Sequence, residues 1–331
     1  MLNKITSKKI LEEIKKANKI LLPLHVSPDG DCIGAVLAMD LFLRSLGKKT
    51  KIISYSKIPK NFFYLPGMSE VEILNFAKIN LSDFDLHIFL DIAAETMITR
   101  SELPKLLLKN LKSINIDHHF TNTKFAKLNL IDEKTSSCCE LLYELFKYWK
   151  VEIDKQTADL LFMGIFTDSG CFQYPSTSAK TFKIVSDLVE KGADLNQTVL
   201  MQFRSYSLKT LKYWSRVLEN MQIDESEKFV WSKISREELK QLNIQPEEIE
   251  GAASLFCPVI KGTEFGIILD ESEGFVKGSL RSRNNFDVSK IAEKLGGGGH
   301  KLAAGFVIKN SLAEAEEKVL MIVRQSVQTK L

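Results

Sequence analysis

The sequence predicts an α/β protein: a parallel-sheet domain with covering helices, followed by a smaller α+β domain. Three observations carry this reading. The chain has 331 residues, too many for one small module and suited to about two domains. Its first half alternates short apolar runs with helical patterns, the rhythm of a parallel sheet covered by helices. Beyond Asn220 that rhythm changes, with strand patterns crowded together before two final helices. Hydrophobic residues make up 44% and charged residues 26%, which excludes a disordered chain, a collagen and a disulfide scaffold.

The elements follow in order. Ile20–Leu24 is an apolar run that ends in His25, and residues 33–46 carry a helical pattern stopped by Gly47. Lys51–Ser54, His87–Leu90 and Ser113–Ile116 are further strand candidates, separated by stretches able to hold helices. From about Ser178 to Asn220 the pattern is helical and charged, which suits a connector. Lys228–Lys233, Gly262–Leu269 and Phe275–Leu280 read as strands, with Glu271–Gly274 as a turn. A helix at Asp287–Leu295, four glycines and a helix at Leu312–Gln328 complete the second domain.

Lys+Arg 45 against Asp+Glu 42 leaves a net charge of +3, which does not suggest whole-surface binding to nucleic acid. The five cysteines include no C-x-x-C pair and suit reduced thiols. The N-terminal stretch lacks the apolar region of a signal peptide, and no apolar run approaches the ~18 residues of a membrane span. The expectation is a cytoplasmic protein with no membrane partner.

Four of the five histidines stand in polar or glycine-rich motifs. His25-x-x-x-Asp29-x-Asp31 follows the first strand, with Gly30 between the two aspartates; in an extended loop both carboxylates would point the same way. Asp91 ends His87–Leu90, Asp117-His118-His119 ends Ser113–Ile116, and Asp168 follows the apolar stretch Leu160–Phe166. In a parallel sheet, ligands bind outside the carboxyl ends of the strands. Carboxylates with imidazoles suit Mn²⁺, Mg²⁺ or Zn²⁺, and several of them shared between strand ends are what a two-metal site needs. One aspartate after a strand is ordinarily a turn or cap residue. Four separate motifs are poorly explained that way, whereas His87, inside an apolar run, reads as an ordinary strand residue.

In order and spacing, His25-Val26-Ser27-Pro28-Asp29-Gly30-Asp31, Asp91, Asp117-His118-His119 and Thr167-Asp168-Ser169 resemble the DHH phosphoesterase superfamily. Gly278-Ser279-Leu280-Arg281-Ser282-Arg283 and Gly296-Gly297-Gly298-Gly299-His300 resemble its DHHA1 domain. At this length the combination is most similar to the NrnA-type group, bifunctional oligoribonucleases and 3′-phosphoadenosine-5′-phosphate phosphatases. The resemblance implies a metal-dependent DHH catalytic domain over 1–190, a helical connector over 191–222 and a DHHA1 substrate-binding domain over 223–331. It implies that His25, Asp29 and Asp91 hold one Mn²⁺, and that Asp31, Asp91, His118 and Asp168 hold a second, with Asp91 bridging. Mg²⁺ or Co²⁺ are alternatives. His119 would face the scissile phosphate and Asp117 would orient it. Two departures stand out: Ile92-Ala93-Ala94 after Asp91, and Cys138-Cys139 after Ser136-Ser137, where small or hydroxyl residues are expected.

Neither the Walker pattern nor G-x-G-x-x-G fits Gly296–Gly299, which counts against nucleoside triphosphates and dinucleotide cofactors. Glycines let backbone N–H groups approach an anion, and the forked guanidinium of Arg281 suits phosphate. Ser279, Arg281, Ser282, Gly298, Gly299 and His300 are therefore the expected substrate-binding set. The expected function is a two-metal phosphoesterase that hydrolyses short oligoribonucleotides and linear dinucleotides to nucleoside monophosphates and dephosphorylates 3′-phosphoadenosine-5′-phosphate. A cyclic-dinucleotide phosphodiesterase and a non-catalytic nucleotide- or RNA-binding protein are the alternatives, and a homodimer is left open.

Overall fold

The computed structural model describes residues 2–104, 107–244, 249, 251–283 and 286–328. The chain divides into two units, Met1–Ser205 and Tyr206–Leu331. The first unit opens with helix α1 (Lys4–Lys16) and strand β1 (Lys19–Pro23), then α2 (Gly30–Ser45), β2 (Lys49–Ser54), β3 (Val71–Ile73) and β4 (Leu86–Leu90). A short α3 (Leu107–Asn110), β5 (Ser113–Asp117) and β6 (Leu128–Ile131) follow, and then α4 (Cys138–Trp149), α5 (Lys155–Asp168), α6 (Ala179–Glu190) and α7 (Leu195–Phe203).

All six strands are parallel, in the order β3-β2-β1-β4-β5-β6. Every residue of β4 and β5 is buried, as expected for central strands covered on both faces. Alternate residues divide between two cores. Ile20, Leu22, Ile88, Leu90, Ile114 and Ile116 pack with the long helices, whereas Leu21, Ile53 and Phe89 pack with Phe76, Ile98, Leu108 and Phe125 from loops and short turns. The strand order reverses between β1 and β4, which places a crevice at their carboxyl ends.

In the second unit α8 (Leu208–Glu219) leads to β7 (Gln222–Ile223), β8 (Phe229–Ile234), α9 (Arg236–Gln241), α10 (Ala252–Phe256), β9 (Phe265–Ser272) and β10 (Phe275–Ser282). Helix α11 (Ser289–Lys294), β11 (Gly298–His300), β12 (Ala303–Ile308) and α12 (Leu312–Gln328) complete it. The sheet runs β11-β12-β10-β9-β8-β7, with β8 and β9 parallel and the other neighbours antiparallel. Helices α11 and α12 cover one face and α8 to α10 the other. The stretch 191–222 holds α7, α8 and the first strand residue of the second sheet, and the division between units falls inside it.

Several elements differ from the sequence reading. Strands β3 and β6 are additional, β11 occupies part of the glycine run, and Asp168 ends a helix rather than a strand. The run Leu160–Phe166 is apolar throughout because α5 is buried on nearly all sides.

Candidate metal centre

The site is assembled at the carboxyl ends of β1, β4 and β5. His25 lies just past β1, and Asp91 directly after β4 in a left-handed conformation (φ 58°), which aspartate tolerates better than most residues. The Asp91 N–H is fastened to the Ile116 carbonyl at 3.1 Å. The β1–α2 connection is not the extended loop expected, because α2 starts at Gly30. Asp29 caps it, accepting from the N–H groups of Asp31 and Cys32 at 3.1 Å each. The two carboxylates consequently diverge: Asp29 is 59% exposed, whereas Asp31 in the first turn is fully buried.

Asp31 points at the start of α4, where its oxygens accept from the N–H groups of Cys138 at 2.6 Å and Cys139 at 2.9 Å. A helix N-terminus is a favourable place for a carboxylate. Burial, followed by Asp91 and Asp168, nevertheless pushes Asp31 well above the usual carboxylate range.

Helix α5 reaches the site through glycine. A Cβ on Gly30 or Gly34 of α2 would stand 2.4 Å from Thr167 Oγ1 or the Leu160 carbonyl; one on Gly164 would stand 2.2 Å from Cys139 Sγ and 2.6 Å from Asp31 Oδ1. Without side chains at these positions α5 lies against α2 and α4, and its last residue, Asp168, meets the site.

Two groupings result. His25 Nε2 lies 3.7 Å from Asp29 Oδ1 and 3.6 Å from Asp91 Oδ2. His118 Nε2 lies 3.8 Å from Asp31 Oδ2, 3.4 Å from Asp91 Oδ1 and 3.3 Å from Asp168 Oδ2. Asp91 belongs to both. Burial opposes charge on His118, but Asp91, Asp168 and Asp31 together raise its pKa to about 10. Burial and the neighbouring carboxylates raise Asp168 to about 7. Asp91 is carried below the usual carboxylate range, because the facing His118 and His25 outweigh its burial.

Asp91 Oδ1 and His118 Nε2, 3.4 Å apart, are both buried without a hydrogen-bond partner. Two ligand atoms each ~2.1 Å from one cation stand ~3.0–3.4 Å apart at octahedral or tetrahedral angles. The His118–Asp91 and His118–Asp168 separations of 3.4 and 3.3 Å fall in that range, while those around His25 and to Asp31 are longer; the carboxylate and imidazole donor set suits divalent cations. His119 Nδ1 lies 2.7 Å from Asp117 Oδ1 and farther, 3.6 Å, from Asp91 Oδ1; Asp117 is fully buried at the end of β5.

Several participants were not singled out from the sequence. The backbone N–H groups of Cys138 and Cys139 are Asp31's donors, a role that Ser137-x-x-Glu140, the pattern of a helix start, could have signalled. Cys32 brings a fully buried thiol beside His25 and Asp91. The Asn122 amide donates both to Asp117 and to Asn115.

In the second unit an open groove of about 570 Å³ is lined by Lys277, Ser279 and Arg281 of β10, the four glycines, and β12. Ser282 does not line it, since alternation along the strand sends its hydroxyl to the other face, into a buried position. Arg281 donates to Ser254 Oγ at 3.0 Å and to the Leu280 carbonyl at 2.9 Å. Part of the glycine requirement is steric, because a Cβ on Gly297 or Gly299 would strike β12 backbone atoms at 2.1 and 2.6 Å, whereas Gly298 faces open space. The backbone of His300 ends β11; its side chain lies outside what is described. Among the described residues no helix is long and apolar enough to cross a membrane.

Residues 19–165 match the DHH family, N-terminal domain, and residues 227–329 match the DHHA1 domain. A probable bifunctional oligoribonuclease and PAP phosphatase NrnA of Streptococcus mutans is 28% identical over 313 residues, 94% of this chain and 96% of that protein. The bifunctional oligoribonuclease and PAP phosphatase NrnA of Thermus thermophilus is 28% identical over 321 residues, 96% of this chain and 93% of that protein. Among solved structures, an exopolyphosphatase-related protein from Bacteroides fragilis superposes with a TM-score of 0.92 at 26% identity, covering 99% of this chain and 97% of that one.

Proposed function

The chain joins a DHH domain to a DHHA1 domain, and on that premise we propose that it is a two-metal phosphoesterase acting on short nucleotides. Its substrates are short oligoribonucleotides and linear dinucleotides, released as nucleoside monophosphates, and 3′-phosphoadenosine-5′-phosphate. The full-length similarity to proteins named for both activities supports this choice. The observation that carries the hydrolytic part is the pair of buried, partnerless atoms, Asp91 Oδ1 and His118 Nε2, within a set of carboxylates and imidazoles 3.3–3.8 Å apart.

His25, Asp29 and Asp91 hold one ion in this reading, and Asp31, Asp91, His118 and Asp168 the other. Manganese is the proposed occupant, since oxygen and imidazole ligands suit it, with Mg²⁺ or Co²⁺ as substitutes. When bound, two such ions activate water and neutralise phosphate oxygens. The remaining work falls to the chain. Asp31, buried between α2 and the start of α4, is a fixed ligand that cannot swing away. Asp117 holds His119 Nδ1, and the ring stabilises charge developing on the scissile phosphate. In the second unit Ser279, Arg281, Gly298 and Gly299, with His300, supply donors for a further phosphate of the substrate.

A time course on 5′-labelled RNAs from dinucleotides upward, with Mn²⁺ and with chelator, tests the reading beside 3′-phosphoadenosine-5′-phosphate and cyclic di-AMP. Mononucleotides should accumulate from the shortest RNAs with metal alone. Absence of hydrolysis with every divalent ion would leave the non-catalytic binding protein as the better account, and preference for the cyclic substrate would shift the specificity.

A further inference from the structure

A polar network runs behind the metal centre through two side chains that the proposed chemistry does not use. Asn115 lies in β5 between Ile114 and Ile116 and is fully buried. Its amide donates to the Phe89 carbonyl at 3.3 Å and the Ile92 carbonyl at 3.1 Å. Asn122 closes a turn on the His119 carbonyl at 3.2 Å through its own N–H. Its side-chain nitrogen faces three acceptors: Asp117 Oδ2 at 2.5 Å, Asn115 Oδ1 at 2.8 Å and the Ile92 carbonyl at 3.2 Å. Its oxygen accepts from the Lys124 N–H at 2.7 Å, so the neighbours fix which end of the amide is which.

A fully buried asparagine among isoleucines persists only where every polar atom is satisfied. Here the satisfied network leads to one carboxylate. Asp117 receives the Asn122 amide on one oxygen and His119 Nδ1 on the other. We propose that Asn122, braced by Asn115, is a positioning residue of the phosphoesterase centre, holding Asp117 so that it fixes the ring plane and tautomer of His119. The inference rests on the two-metal reading above and adds to it the element that keeps the non-ligand histidine in register. Without the amide, Asp117 keeps its place at the end of β5 but loses the donor that sets its rotamer, and the imidazole it orients can turn.

The test is a double-mutant cycle in the full-length protein, with Asn122→Ala made in wild type and in His119→Ala. In wild type Asn122→Ala should lower kcat on a linear dinucleotide by about 10- to 100-fold, the cost common for partners that orient site residues. KM and the number of Mn²⁺ ions bound should be unchanged. In the His119→Ala background the same change should cost less than about twofold, because the group it acts through is gone. With ¹⁵N-histidine labelling and Mg²⁺, Nδ1 of His119 should be uniformly protonated in wild type, held on Asp117, and only partly so in Asn122→Ala. Equal losses in both backgrounds, a wild-type kcat, or an unchanged Nδ1 protonation would each overturn the proposal. If Asn122→Ala does not fold, Asn122→Ser keeps a shorter donor and should give an intermediate kcat. A wild-type protein inactive on every substrate would count against the phosphoesterase reading, while the Nδ1 measurement would still decide the positioning role.

Discussion

Gly164 should be hard to replace. A Cβ there would lie 2.2 Å from Cys139 Sγ and 2.6 Å from Asp31 Oδ1, and both neighbours are fully buried. Relief to ordinary contact requires α5 to move away by roughly 1 Å, since cores are packed too tightly to absorb a methyl group locally. Overpacking of this kind costs about 1–3 kcal/mol, offset by about 1 kcal/mol of helix propensity when glycine becomes alanine. The net loss of about 0–2 kcal/mol converts to a fall in Tm of up to about 8 °C for a unit of this size. The functional effect should exceed the structural one. Helix α5 ends at Asp168, 3.3 Å from His118 Nε2, so the retreat takes one carboxylate out of the group around that histidine. Gly164→Ala should weaken one of two Mn²⁺ binding events by about 10- to 100-fold in calorimetry and leave the other near its wild-type value. A variant with wild-type Tm and two wild-type binding events would show that the crossing of α2 and α5 does not set the geometry of the site.

Asp31→Asn keeps the shape but brings an NH₂ against one of two N–H groups at the start of α4. It should remain folded in circular dichroism yet lose one Mn²⁺ and more than about 100-fold in turnover, beyond the cost of losing an orienting partner; wild-type activity would sink the two-metal reading. The effect of metal on stability should depend on pH. Asp168 at about 7 and His118 at about 10 both stand above their unfolded values of ~3.9 and ~6.5. The stability that their protonated forms contribute to chelator-treated protein is complete below those unfolded values and is lost as pH rises through about 7 and about 10. Metal binding displaces the same protons, so the gain in Tm from Mn²⁺ should widen from about pH 6 to about pH 8.5; a pH-independent gain would contradict the assignment. Arg281→Ala should reduce kcat/KM on a dinucleotide by about 2–4 kcal/mol while sparing bis-p-nitrophenyl phosphate, and equal losses on both would indicate damage to the fold.

Much of the site was legible because the apolar runs of β1, β4 and β5 give way to polar residues at His25, Asp91 and Asp117. Strand β3 is partly exposed along its three residues and β6 has a single fully buried position, so neither leaves a contiguous apolar signal. An all-apolar stretch such as Leu160–Phe166 has no period to separate helix from strand, so the sequence does not reveal that Asp168 ends a helix. The Asp29–Gly30–Asp31 segment was read as a loop because glycine ordinarily breaks helices; here Gly30 starts one, where Thr167 leaves no room for a side chain. Strand β11 was hidden for the same reason, since glycine is depleted in strands. Asn122 looked like any turn asparagine, and only three-dimensional proximity to Asp117 distinguishes it.

The crossing of α2 and α5 also bears on when the protein acquires its ions. The ligand candidates run from His25, just after the first strand, to Asp168, at the end of the helix that seals the site. A nascent chain that has emerged through residue 118 already carries His25, Asp29, Asp31, Asp91 and His118, yet it lacks both the α4 start that receives Asp31 and the α5 end that supplies Asp168. Contacts this distant in sequence form late, after loop-closure entropy has been overcome. On the two-metal reading, ions would fasten a fold already reached rather than nucleate it, and their binding energy would add to stability according to the concentration of metal that the finished domain meets. Affinity alone would favour copper or zinc over manganese in such ligands. Loading after folding would leave the choice to the ligand set and to whichever ion is abundant around it.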